Sequence, residues 1–217
     1  MTEMNGVDLK TSIIETFKQK DPDMYEKIMQ FKRIFNIDEV LGGRYSVSFL
    51  LDVFFAFEKG LINISAVLDE IKYLEGVGSK TQTKPASQFN RKPLKHLWHK
   101  HYSDGNIPEL AQNVKNALKN YSIPYLDEQV RDAEASDEVR YITETDISAI
   151  FDDVVSGSLA RRRAEQKMTG EWLVYASHEG QNYYLCLAKH DDGDDNIRKK
   201  IDSTGMYEYP FLEEVLS

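Results

Sequence analysis

Apolar positions in the first 76 residues recur at steps of three and four, the period of helices with one buried face. Ile13, Ile14 and Phe17 form one stripe, and Tyr25, Ile28, Met29, Lys32 and Phe35 form the next. Asp21-Pro22 separates them, with Asp as a cap and Pro at the first helical position. Gly42-Gly43 interrupts the pattern. Ser46 or Ser48 then opens a strongly apolar helix through Phe49, Leu50, Val53, Phe54 and Phe57 that Gly60 ends. A shorter helix from about Ser65 to Leu74 follows. Asp52 and the short length of this apolar window make it a buried helix, not a membrane span.

The pattern changes after Gly76. Residues 77–90 are poor in apolar side chains and read as a linker or long loop, so the predicted division is a helical block over 1–76 and a second domain over 91–217. Pro93 is placed to open a helix through RKPLKHLWHKHY. Residues 121–143 are polar and acidic, carrying Asp127, Glu128, Asp132, Glu134, Asp137 and Glu138, and read as a solvated connection. Ile147, Ile150, Phe151, Val154 and Val155 return to helical spacing from a cap at Thr145 or Asp146, with Arg161, Arg162 and Arg163 near the helix end. Two runs of β type follow, 171–178 and 183–190, joined by EGQN. A short helix over 196–201 and an extended piece over 207–212 close the chain. The fold class this predicts is α+β: an N-terminal helical block followed by a small antiparallel sheet, a hairpin, backed by helices.

Gly180-Gln181 as the two turn residues fixes a register. Glu171 then faces His190, Tyr175 faces Cys186 and His178 faces Tyr183. Trp172, Val174, Ala176, Leu185 and Leu187 share the face assigned to the core, and Glu171, Leu173, Tyr175, Tyr184, Cys186 and His190 share the other.

Length and charge narrow the class. The chain has 217 residues, enough to bury a proper core, and a formal net charge of −9 from 36 acidic and 27 basic side chains. That balance disfavours a general nucleic-acid binder, which needs surplus cations, and suits a protein that neutralises a basic partner. Cys186 is the single cysteine, so no intrachain disulfide exists and a reducing cytoplasm is expected. No signal peptide is visible at the N-terminus.

All five histidines fall in two segments: His96, His99 and His101 in the first, His178 and His190 in the second. The first carries Lys92, Lys95 and Lys100 as well, a local positive strip that could hold phosphate while an imidazole acts as general acid or base. A helix would bring together only His96 and His99, and a strand only His99 and His101, so three metal ligands do not follow. The residues singled out for acid–base chemistry are His96, His99, Glu171 and His190. Those singled out for nucleic-acid contact are Lys92, Lys100, Arg161, Arg162 and Arg163. Each has a plain structural alternative: His101 and Trp98 packing inward, Glu171–His190 as an ion pair at a strand end, and the arginines complementing a helix dipole. Asp191 to Asp195 lack the spacing of a calcium loop, and no phosphate-binding glycine loop, nucleophile elbow or dinucleotide fingerprint is present. No metal and no cofactor are expected.

The segments FNRKPLKHLWHKHY and TGEWLVYASHEGQNYYLCLAKHDDGDDNI resemble a group of bacterial proteins to which no activity is attached, over roughly Gln88 to Leu212. The C-terminal order of helix, hairpin and short helix is also similar, at the level of fold, to small bacterial RNA-cleaving toxins. The acidic charge and the extra helical block depart from that pattern. Two readings follow. One is a bacterial or phage accessory protein of a conflict system, of immunity, antitoxin or inhibitor type, that binds a protein partner, with basic character expected in that partner. The other is a metal-independent RNA- or DNA-cleaving enzyme. A small-molecule or nucleotide sensor using the Tyr-rich hairpin face is a third.

Overall fold

The structure, a computed structural model, describes residues 6–103, 105–136 and 141–217, and the side chains of all these except residues 6–9 and 108. It is α+β. Among the described residues five helices come first: α1 (Gly6–Lys20), α2 (Pro22–Ile34), α3 (Ile37–Leu41), α4 (Val47–Glu58) and α5 (Ile64–Leu74). Local chemistry accounts for their starts. Asp21 accepts the Met24 amide at 3.0 Å with Pro22 at the first helical turn, and Ser46 accepts the Phe49 amide at 3.0 Å. The short α3 lacks enough turns to show a periodic stripe, and the sequence pattern did not mark it.

Contacts group the chain into two compact units: Met1–Thr81, Pro85–Asp104 and Glu171–Ser217 in one, Gln82–Lys84 and Gly105–Gly170 in the other. The first unit contains the N-terminal helices and a four-stranded antiparallel sheet in the order β1 (Ser87–Gln88), β2 (Trp98–Tyr102), β3 (Glu171–His178), β4 (Gln181–Ala188). Strand β1 lies within the stretch read from composition as a linker.

The histidine segment departs from expectation. RKPLKHLWHKHY does not form a helix: the chain turns over 91–97, burying Leu94 and Leu97, and enters β2. Trp98, Lys100 and Tyr102 alternate with His99 and His101, and an aromatic-rich alternation suits a strand paired on both sides. Proline at a plausible helix start is a weak local preference that this pairing overrides.

The hairpin register also differs. His178 pairs with Gln181, so the turn residues are Glu179 and Gly180, with φ of 50° and 76°. Positive φ at both central positions is the type I′ requirement, which matches the right-handed twist of the strands. Val174 pairs with Cys186 and Tyr175 with Tyr184, leaving Leu185 as the extra residue of a bulge. The bulge breaks strict alternation. Tyr184 and Leu187 join one core while Leu185, Cys186 and Ala188 join another.

Both faces of the sheet are therefore buried, not one. The first core packs Tyr102, Leu173, Tyr175, Tyr184 and Leu187 against residues of α2 to α5. The second packs Leu94, Leu97, Val174, Ala176, Leu185, Cys186 and Ala188 against Ile197, Ile201 and Leu212. The last three come from α10 (Asp194–Glu208) and α11 (Leu212–Val215). Thus the helix expected over 196–201 runs from Asp194 to Glu208, and residues 207–212 are a helix end, a turn and the first residue of α11, not an extended piece. The outer edge of β4 is satisfied by side chains and by the segment before α4. Tyr184 N–H donates to Arg44 O at 2.9 Å, Leu187 N–H to Asp52 at 2.9 Å, and Ser46 Oγ to Leu185 O at 2.6 Å. An exposed strand edge is thereby avoided.

The second unit carries α6 (Ile107–Asn120), α7 (Pro124–Ser136), α8 (Glu144–Asp152), a π-helical turn (Asp153–Gly157) and α9 (Ser158–Ala164). Residues 124–136, read as a solvated connection, are solvated but helical, with no buried side chain; Asp137 and Glu138 lie outside the described residues. Thr143 caps α8 in a reciprocal box with Asp146, two residues before the expected start.

Candidate functional site

Strand pairing builds an aromatic and imidazole surface on one face of the sheet. His101 pairs with Trp172 and His99 with Val174, while Ser87 pairs with His99 from the other side. The result surrounds one indole. His190 lies 4.4 Å from the Trp172 ring, His99 5.0 Å, Phe89 5.6 Å and His101 6.4 Å, between centroids. His101 and His190 stack at 5.3 Å, and His99 stands edge-on to His101 at 5.8 Å. His99 Nε2 sits 3.1 Å from the Ser87 hydroxyl. His190 is exposed, His99 half-buried and His101 buried.

Glu171 reaches His190 through the backbone. Its Oε2 accepts the His190 N–H at 3.2 Å, while the imidazole lies against Trp172 and His101. Burial holds the Glu171 carboxyl above the usual glutamate range, outweighing that hydrogen bond. Residue 190 lies beyond the end of β4, so it is not the cross-strand partner of Glu171 that the expected register gave it.

The remaining predicted residues scatter. His96 is exposed on the turn with φ of 77°, and its backbone closes that turn through the Phe89 and Gln88 bonds. Lys92 is exposed on the same turn. Lys100 points to the opposite face of β2 and is wholly buried, its Nζ 2.8 Å from Glu70 and 3.2 Å from Thr81 Oγ1. Burial lowers its pKa against the pull of Glu70. It belongs to the core, not to a surface strip. In the second unit Arg161 pairs with Asp153 at 3.5 Å. Arg162 is buried, donating to Asn113 Oδ1 at 3.2 Å and to the Lys167 carbonyl. Arg163 is exposed. One of the three arginines thus faces solvent fully, and the other two hold α9 in place.

His101, Trp172 and Phe89 complete the imidazole cluster without having been singled out for chemistry. The strand alternation of WHKHY is the signal that joins His99 to His101. His178 takes no part: it stacks on Phe211 at 4.1 Å, at the turn end of the hairpin. Among the described residues no group of three or more His, Cys, Asp or Glu is arranged to hold a metal ion. Cys186 is wholly buried and burial pushes its thiol far up, so it is a packed, protonated side chain.

A second feature lies within the 105–170 unit. Helix α7 has no fully buried side chain, and between it and α8 is a cavity of about 190 Å³. Tyr125, Leu126, Val130, Tyr141, Ile142 and Ile150 are among its lining residues. At its floor Asp146 accepts from the Tyr125 hydroxyl at 2.6 Å and from the Thr143 amide at 2.8 Å. Val130, Tyr141 and Ile142 are 49%, 82% and 67% exposed, a concentration of solvent-facing apolar surface. From 124 to 157 the sequence carries ten acidic side chains against two arginines. Asp127, Glu128, Asp132, Glu134, Glu144 and Asp152 among them are exposed.

Comparison with known families, characterised proteins and solved structures finds no match to this chain. No helix among the described residues is long and apolar enough to cross a membrane.

Proposed function

We propose that this chain is a non-catalytic binding protein for a basic protein partner, of the immunity, antitoxin or inhibitor type, acting in the cytoplasm of a bacterium. The observation that carries the reading is the surface of α7 and α8, where exposed apolar side chains lie among acidic ones. An apolar patch with a charged surround is the usual composition of a recognition surface, and opposite charge on the partner speeds and steers association. The net charge of −9 acts in the same direction over a longer range. The test is expression in bacterial cells followed by recovery of the complex across a salt series. A stable complex with a basic protein that dissociates as salt rises supports the reading. Partners that are neutral or acidic, or none, count against it.

A second reading has its own observation, the gathering of His99, His101 and His190 around Trp172 with Ser87 at 3.1 Å from His99. Imidazoles beside an aromatic ring suit acid–base chemistry on a phosphodiester, with Arg91, Lys92 and Lys95 exposed on the adjoining turn. Induced expression separates the two. Growth arrest by the native chain, relieved in His99→Ala and His190→Ala, supports a nuclease; unimpaired growth with all three supports binding.

A further inference from the structure

We infer that the α7–α8 cavity takes the apolar face of a basic amphipathic helix presented by the partner; this rests on the binding reading above. The size of the cavity argues for side-chain anchors. At about 190 Å³ it falls below the roughly 300–1,000 Å³ usual for small-molecule sites, and it suits a few large apolar side chains entering from a helix. The polar floor points the same way. Asp146, the one acidic side chain lining the cavity among the described residues, already accepts the Tyr125 hydroxyl and the Thr143 amide, so what the described walls chiefly offer is apolar contact.

Charge selects the occupant. Asp127, Glu128, Asp132 and Glu134 stand exposed on α7, and Glu144 and Asp152 on α8. A helix carrying Lys or Arg beside its apolar stripe would meet the opposite charge that α7 and α8 carry on the surfaces flanking the cavity. A second copy of this chain would bring like charges together, which costs association energy. Ile147 and Phe151, one helical turn apart on α8 and 59% and 65% exposed, extend the apolar surface along that helix.

The probe is a fluorescein-labelled 18-residue Leu/Lys helix with leucines at i, i+3, i+4 and i+7, set beside a Leu/Glu helix of the same pattern, with binding to the full chain read by anisotropy. The Leu/Lys helix is expected to bind and the Leu/Glu helix not. Ile142→Asp should weaken binding about tenfold or more although it adds negative charge, because it removes an apolar anchor. Asp132→Lys should weaken it too, and so should added salt. Leu118→Asp, on α6 and 46% exposed, should leave it unchanged. Ile142 and Asp132 are both exposed, and an unchanged thermal transition by circular dichroism confirms that the variants fold. Equal binding of the Leu/Lys helix to wild type and Ile142→Asp overturns the groove while the basic-partner reading stands. No binding of that helix to the wild type counts against both. A wild-type dimer that Ile142→Asp converts to monomer assigns the groove to a second copy and overturns the proposal.

Discussion

The imidazoles of His101 and His190 stack with 5.3 Å between centroids and 24° between planes, although one belongs to the middle of the chain and the other follows its last strand. His101 is 5% exposed, whereas His190 is open to solvent. Removing the two rings should therefore cost different amounts. His101→Ala should lower unfolding stability by about 1–3 kcal/mol, as for other buried truncations, and His190→Ala by less than about 0.5 kcal/mol. Urea melts of both variants and of the double variant give the coupling, expected at about 0.5 kcal/mol or more for residues in contact. Strict additivity would remove the stack as a stabilising contact.

The Lys100–Glu70 pair is enclosed between β2 and α5, with side chains 0% and 5% exposed. Two charges taken from water attract strongly but have each lost their hydration, so removing one leaves the other stranded. Lys100→Met or Glu70→Leu alone should destabilise by about 3–5 kcal/mol, while the double substitution should recover most of that loss. Chemical denaturation checks it. Equal losses in the single and double variants would show that packing around Thr81 and Tyr73, whose ring centroid lies 5.5 Å from Lys100 Nζ, sets the cost in place of the charge pair.

Glu208 gives a pH dependence of defined sign. Its two carboxylate oxygens accept the Val47 amide at 3.0 and 3.1 Å, capping α4 from α10, and burial raises its pKa above the ordinary value. The folded chain consequently holds this proton more tightly than the unfolded chain. Stability from this group is fully present below about pH 4.3, the unfolded value, and is lost as pH rises through the raised folded value. Denaturant midpoints measured from pH 4 to 7 should show Glu208→Gln with a flatter decline than wild type. A steeper one would contradict the assignment.

Asn113 organises the second unit. Its Oδ1 accepts from Arg162 Nε at 3.2 Å and Thr169 N–H at 3.0 Å, and its Nδ2 donates to Glu109 O at 3.0 Å and Thr169 O at 2.8 Å. Asn113→Leu removes all of these hydrogen bonds, each worth about 0.5–1.5 kcal/mol net. Amide exchange should accelerate in α6 and α9 of that variant. Arg163→Ala, at an exposed position, should leave exchange unchanged.

Local signals accounted for much of the helical half. The stripes through Ile28 or through Val53 and Phe54 need only the helical period, and the Asp21 and Ser46 side chains act on amides three residues on, whereas Phe31, buried in α2, lay outside the stripe read from the sequence. Helix α7 was missed because its large apolar residues, Tyr125, Leu126 and Val130, are outnumbered by charged ones, so its sequence reads as polar. The candidate site was legible as two histidine-bearing segments but not as a geometry. Pro93 suggested a helix where pairing with β3 imposed a strand. A single extra residue at Leu185 then changed which side chains of β4 share a face.

The sequence by itself determined the α+β class, the start of α2, the buried character of α4 and the acidic balance, because each follows from neighbours along the chain; it left the cap of α4 between Ser46 and Ser48. Tertiary structure alone decided the strand register, the burial of Lys100 and Arg162 in polar pairs, and the meeting of His99, His101 and His190 around Trp172. Those depend on which backbone groups pair across the sheet. Shifting such pairing by one residue moves every side chain of a strand to the opposite face.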